Sequence, residues 1–265
     1  MDASERVCPY CEAPLGRPAI DLRSSGGLAA GLIPHARFTT VMILLVNTAL
    51  FVATMIASMQ KGRDGALYDI DGLTLFSFGA KFGRSVFEGQ WWRLVTAGFL
   101  HGGLLHILMN SWVLFDLGAQ VEEIYGSARL IVFYFTATVL GFLASTWWNP
   151  AALSVGASAG IFGLIGAMIA FGTRNQTSLG SAIRGHYLRW ALYGLLFGLL
   201  PGLRVDNAAH LGGLAAGFAT AFAAGEPGEG WLKSETFWKI AAGFCLAVTA
   251  ICFLKMFLWM TQTQR

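Results

Sequence analysis

The run SVGASAGIFGLIGAMIAFG, residues 154–172, decides the architecture. It has no charged side chain and places a small residue at nearly every helical turn. It also sits inside a longer stretch, Leu130 to Thr173, that contains no Asp, Glu, Lys or Arg. A second stretch free of these residues runs from Leu94 to Phe115. About 20 consecutive apolar residues match the hydrocarbon thickness of a bilayer, so these runs read as transmembrane helices. The composition agrees. The 265 residues are 55% hydrophobic and 12% charged, with mean hydropathy +0.58, whereas soluble domains carry about twice that charge fraction. The chain is expected to be an all-α polytopic membrane protein.

Uncharged runs give seven spans, at about 38–60, 94–118, 129–148, 155–173, 187–203, 207–225 and 238–260. The motif WWNP (147–150) marks a turn at the membrane edge between the third and fourth. Three pieces follow: a polar tail over 1–37, a six-helix membrane core over 38–225, and a segment over 226–265 with an acidic linker and a seventh helix. The first loop, about 61–93, carries Phe76, Phe78, Phe82, Phe87, Trp91 and Trp92 and is expected to lie on the bilayer surface. No charged segment followed by an apolar core opens the first 30 residues, so no cleavable signal peptide is expected. A net charge of +3 gives no reason to invoke nucleic acid.

Loop Lys and Arg residues set orientation. The tail holds Arg6, Arg17, Arg23 and Arg37, and the loop between the fourth and fifth spans holds Arg174, Arg184 and Arg189. The other side holds Arg204 and a first loop in which Lys61, Arg63, Lys81 and Arg84 are offset by Asp64, Asp69, Asp71 and Glu88. The balance favours a cytoplasmic N-terminus. Cys245 and Cys252 lie in the last span as apolar packing residues. Cys8 and Cys11 form CPYC in the tail, half of a structural zinc site. Either another partner completes that site or the pair holds no metal.

Polar residues at membrane depth need a partner or a water-filled cavity. The second span brings His101, His106 and Asn110, with His106 and Asn110 one turn apart on one face. The fourth span brings Ser158. The sixth brings His210, preceded by Asp206 and Asn207, either of which could cap the helix. These spans run in the same direction and carry the polar residues in their first turns or within about three turns of them, so all are expected to lie on one side of the bilayer at comparable depth. Small residues at Ala209, Gly213, Gly217 and Ala221 in the sixth span, and at Gly156, Gly160 and Gly163 in the fourth, allow close helix approach. Ser158 and His210 could then meet as nucleophile and base, with free N–H groups at the helix start beside a developing oxyanion. Taken singly, each has a plainer reading: a packing serine, a structural histidine, an interhelical asparagine. Three histidines could also bind a metal, but no H-E-x-x-H is present.

The ordered motifs WWRLVTAGFLHGGLLHILMN (91–110), GASAGIFGLIGA (156–167) and DNAAHLGGLAAGF (206–218) resemble those of the rhomboid intramembrane serine proteases over about residues 85 to 225. The resemblance implies a six-helix rhomboid-like core, here with a seventh C-terminal transmembrane helix. It also implies a Ser–His dyad that needs no cofactor, with Ser158 as nucleophile and His210 as general base. His106 and Asn110 would be oxyanion donors, His101 would be supporting, and Phe162 would be the aromatic that packs on the catalytic histidine. Arg93 belongs to the first-loop part of the pattern. Many members have glycine where this chain has Ala159, which still offers its backbone N–H. The implied substrates are membrane proteins cut near a transmembrane segment. A non-catalytic relative that binds membrane clients, or a small transporter using the same polar cluster, would share much of this pattern.

Overall fold

The structure, a computed structural model, describes residues 37–201, 204–225 and 234–263. The tail pair Cys8 and Cys11 lies outside the described residues. Helix α1 (Phe38–Gln60) forms the first span with the bounds read from its uncharged run. The first loop then folds into α2 (Gly72–Ser77), β1 (Lys81–Phe82), α3 (Gly83–Phe87), α4 (Arg93–Thr96) and a 3-10 turn at Ala97–Phe99. The later spans are α5 (Leu104–Tyr125), α6 (Ser127–Trp148), α7 (Ser158–Arg174), α8 (Ser178–Phe197), α9 (Asn207–Ala224) and α10 (Glu235–Thr263). Strand β2 (Leu153–Ser154) pairs antiparallel with β1 in the register Lys81–Ser154 and Phe82–Leu153. The architecture is an all-α polytopic membrane fold. Helices α1, α5, α6 and α10 are long and apolar enough to cross a membrane.

Two spans differ from the sequence reading. The second begins at Leu104, ten residues later than expected, because the extended backbone at Leu100 and Gly103 interrupts the apolar run. His101 therefore lies before the helix, and Gly156 likewise precedes α7 rather than joining its glycine stripe. The fifth span begins at Ser178, so Arg184 and Arg189 are helical residues on an exposed face rather than loop charges. The first loop also differs from a layer spread on the bilayer. Phe87 and Trp91 are exposed, but Trp92 is buried, and Lys81 and Arg93 are both fully buried.

Helix α7 has 17 residues, a length of about 26 Å against a hydrocarbon core of roughly 30 Å. With Arg174 at one interface, its first residue, Ser158, lies below the other. Around α7 the core is built by backbone approach. Gly163 and Gly217 meet across the α7–α9 crossing, and Gly213 of α9 passes over the Ala159 carbonyl. The Ala159 methyl points instead toward α6, where a Cβ on Gly141 would lie 3.0 Å from it. Ala159, where many members of the resembled family have glycine, is thus accommodated by a glycine on a third helix.

At the opposite end, Glu122 replaces a cap that α1 lacks. Arg37 precedes the helix without a side-chain cap bond. The buried Glu122 carboxylate of α5 accepts from Thr39 N–H (2.9 Å), Thr40 N–H (3.1 Å), Thr40 Oγ1 (2.9 Å) and Ser127 Oγ (2.7 Å). Free N–H groups at a helix start favour a negative partner. Glu122→Ala should lower stability by about 2–3 kcal/mol, a fall in Tm of roughly 5–10 °C by thermal unfolding in detergent. Glu122→Gln, which keeps an acceptor, should lose less.

Candidate active site

Three span starts converge here. Ser158 is the first residue of α7, His106 lies in the first turn of α5, and His210 lies in the first turn of α9. Ser158 and His106 sit where helix geometry leaves backbone N–H groups without intrahelical acceptors, whereas the His210 N–H donates to the Asp206 carbonyl at 3.1 Å. Strand β2 and the bend after it deliver Ser158. Gly156 has φ +137° and donates its N–H to the Ala97 carbonyl at 3.0 Å, which pins the approach to α7 against the 3-10 turn. A Cβ on Gly156 would lie 2.8 Å from His106 Nε2 and 3.4 Å from Ser158 Oγ. The histidine and the serine hydroxyl therefore border one small volume, kept open by the missing side chain.

On the other side of Ser158, the His210 ring stacks on Phe162, with centroids 4.1 Å apart and planes 11° apart. Phe162 lies one turn beyond Ser158 on α7, so the stack holds His210 against the serine's own helix. His210 is 6% exposed, while Ser158 and His106 are half-buried. Among the described residues, Ser158 and His210 form no direct hydrogen bond. Asn110, one turn after His106, is buried with its Nδ2 unpartnered and so keeps a donor in hand. His101 is fully buried and packs edge-on to His106 at 5.1 Å, fixing that ring from behind. No group of three or more His, Cys, Asp or Glu close enough to hold a metal ion occurs among the described residues.

Asp206 and Asn207 divide the two roles open to them. Asp206 caps α9, accepting from Ala209 N–H at 3.0 Å, and its other carboxylate oxygen accepts from Ser145 Oγ of α6. Asn207 donates to the Leu195 carbonyl of α8 at 3.1 Å. Lys81 reaches the same region. Its Nζ donates to the Ala152 carbonyl at 3.2 Å, and burial lowers its pKa while the Asp206 carboxylate opposes that shift. The start of the His210 helix is thus tied to α6 and α8, while Lys81 of the first loop bonds the α6–α7 connection. The Ser145 and Lys81 contacts have no periodic sequence signal, and the reading of Lys81 as a loop charge concealed its role. Gly156 carried a weak signal, a glycine before a serine at a helix start.

Gly156→Ala tests the volume shared by Ser158 and His106. The added methyl meets an imidazole at a φ that disfavours side chains, so His106 must shift. Any turnover at the site should fall roughly 10²-fold, with little change in the helical circular dichroism.

Comparison with known proteins identifies the family of the chain. Residues 88–227, just over half of the chain, match the Rhomboid domain family. The chain is 37% identical over 176 residues to rhomboid protease GluP of Bacillus subtilis (strain 168), covering 64% of this chain and 34% of that protein. It is 31% identical over 214 residues to RHOMBOID-like protein 4 of Arabidopsis thaliana, covering 72% and 54%. It is 36% identical over 154 residues to Rhomboid-like protease 3 of Toxoplasma gondii, covering 57% and 59%. The chain spans between about a third and three-fifths of the length of these relatives. Family match, helical membrane architecture and the ordered motifs agree: the chain is an integral membrane protein of the rhomboid family.

Proposed function

We propose that the chain is an intramembrane serine endopeptidase that cuts membrane proteins at or near a transmembrane segment. One observation carries the reading. The Ser158 hydroxyl and the His106 imidazole border one volume at Gly156, while His210 is stacked on Phe162 one turn along from the serine. Two of the relatives are named as proteases, which supports the same reading.

In the proposed mechanism, Ser158 Oγ attacks the scissile carbonyl as His210 takes its proton. The developing oxyanion receives the Ser158 N–H at the start of α7 and side-chain donors from His106 and Asn110. Collapse of the tetrahedral intermediate breaks the C–N bond, and His210 returns the proton to the leaving amine. Water, deprotonated by His210, then hydrolyses the acyl-enzyme and regenerates Ser158. A direct Ser158–His210 bond would form on substrate binding, as catalytic hydrogen bonds often tighten only in the complex. The chemistry requires no metal. With the N-terminus cytoplasmic, the site opens toward the non-cytoplasmic side, where its half-buried polar residues give water a route in.

The test is purified protein in liposomes with a panel of single-span substrates, alongside Ser158→Ala and His210→Ala. Cleavage by the parent protein that both substitutions remove supports the reading. Equal cleavage by all three, or solute flux without cleavage, overturns it.

A further inference from the structure

Helix α10 lies wholly beyond the family match at 88–227, and the proposed chemistry does not use it. Its far end nevertheless completes a cage around a first-loop residue. The Trp259 ring meets Phe76 edge-on at 5.5 Å and Trp92 at 6.0 Å, and the Arg93 guanidinium lies 4.8 Å from its centroid. Arg93 also lies over Phe76 at 4.0 Å and Trp92 at 4.5 Å. Burial pulls the Arg93 pKa down to about 10, which leaves it cationic at neutral pH.

The hydrogen bonds of Arg93 show what the cage holds. Its Nη1 donates to the Phe76 carbonyl at 2.7 Å and the Ala80 carbonyl at 3.0 Å, and its Nε donates to Gln90 Oε1 at 2.6 Å. Its buried Nη2 has no acceptor among the described residues, and ring faces stand in for one. Ala80 directly precedes β1, β1 pairs with β2, and β2 leads through Gly156 to Ser158. A turn below, Cys252 and Met256 pack with Trp92 and Val95. The near end of α10 is fixed separately, by Glu235 to the buried Arg129 of α6 at 2.7 Å.

We propose that α10 is a positioning element for the first loop: Trp259 closes the aromatic cage on Arg93 and so sets the β1–β2 pairing that seats the Gly156–Ser158 turn. The effect on catalysis rests on the protease reading above; the effect on loop position does not. An aliphatic side chain could fill the same space but offers a buried cation no π face. Phenylalanine offers both.

The experiment uses the full chain with Cys8→Ser and Cys11→Ser, plus Ser85→Cys as a reporter at a buried site in α3. Maleimide labelling at position 85, located by peptide mass, should run about tenfold faster in Trp259→Leu, on the scale of a lost desolvated cation–π contact. It should stay within about twofold of the parent in Trp259→Phe. Equal labelling in the Leu and Phe variants overturns the proposal. In the same samples, Trp259→Leu should lower kcat with KM little changed, and Trp259→Phe should restore it. Faster labelling with unchanged kcat overturns the link to the site. If the parent cleaves nothing, the protease reading fails while the labelling rates still decide the cage.

Discussion

Ser158→Ala and His210→Ala are each expected to lower kcat on a transmembrane substrate by at least about 10⁴-fold, with little change in Tm. A serine hydroxyl is a weak nucleophile until a base takes its proton, so the two groups act as one unit. The double variant should therefore be no worse than either single one, because effects within such a unit are not additive. His106→Ala and Asn110→Ala should cost less, on the order of 10²–10³-fold each, as expected for single oxyanion donors. The structure gives a reason for the difference. His210 is stacked on Phe162, one turn along α7 from Ser158, whereas His106 and Asn110 lie on α5, with His106 across the open volume at Gly156. Steady-state cleavage by reconstituted protein, with thermal unfolding in parallel, separates lost chemistry from lost folding.

The second large effect is on the fold. Gly217→Ala should destabilise the protein by about 3 kcal/mol or more, although it adds one methyl. A Cβ at 217 meets the backbone of α7, with the Gly163 carbonyl carbon 2.5 Å away. Backbone cannot rotate aside as a side chain can, so α7 and α9 must separate and carry Ser158 and His210 apart. Gly243→Ala is the matched control. It lies on α10 with nothing within 4 Å of the added group, and replacing a helical glycine there should be neutral or stabilising by up to about 1 kcal/mol. Thermal unfolding in detergent should show a large fall in Tm for the first variant and none for the second.

Much of the membrane architecture is legible in the sequence because charge is expensive in lipid. The uncharged run at 38–60 has the same bounds as α1, and the run at 207–225 ends one residue past α9. Where backbone rather than side chain breaks a helix, that signal fails, as at Leu100–Gly103. It fails again at α8, whose first twelve residues carry Arg184 and Arg189 and whose start hydropathy alone reads as loop. Lys81 misleads for a third reason, one that also leaves Arg93 and Glu122 unmarked. They are buried charges bonded to backbone groups distant in the chain, and no local pattern marks such pairs.

The candidate site was more legible than its surroundings. Ser158 and His210 stand in the first turns of their spans as read from sequence, whereas His106 stands about three turns into a span read from residue 94, and only the break at Leu100–Gly103 brings it to a helix start. The spacing of Gly213 and Gly217 likewise anticipated the α7–α9 crossing. The residues that hold the site in register, Ser145 on Asp206 and Trp259 over Arg93, meet across 61 positions in the first case and from a separate helix in the second. Such contacts have no period to read.

The central claim is that Ser158 is a nucleophile activated by His210. The most direct measurement is peptide mapping after treating the reconstituted protein with a fluorophosphonate, which phosphonylates only activated serines. The account predicts one adduct, on Ser158, formed by the parent protein and absent from His210→Ala. A protein that cuts its substrate while Ser158 stays unmodified, or an adduct that forms equally well without His210, would contradict it.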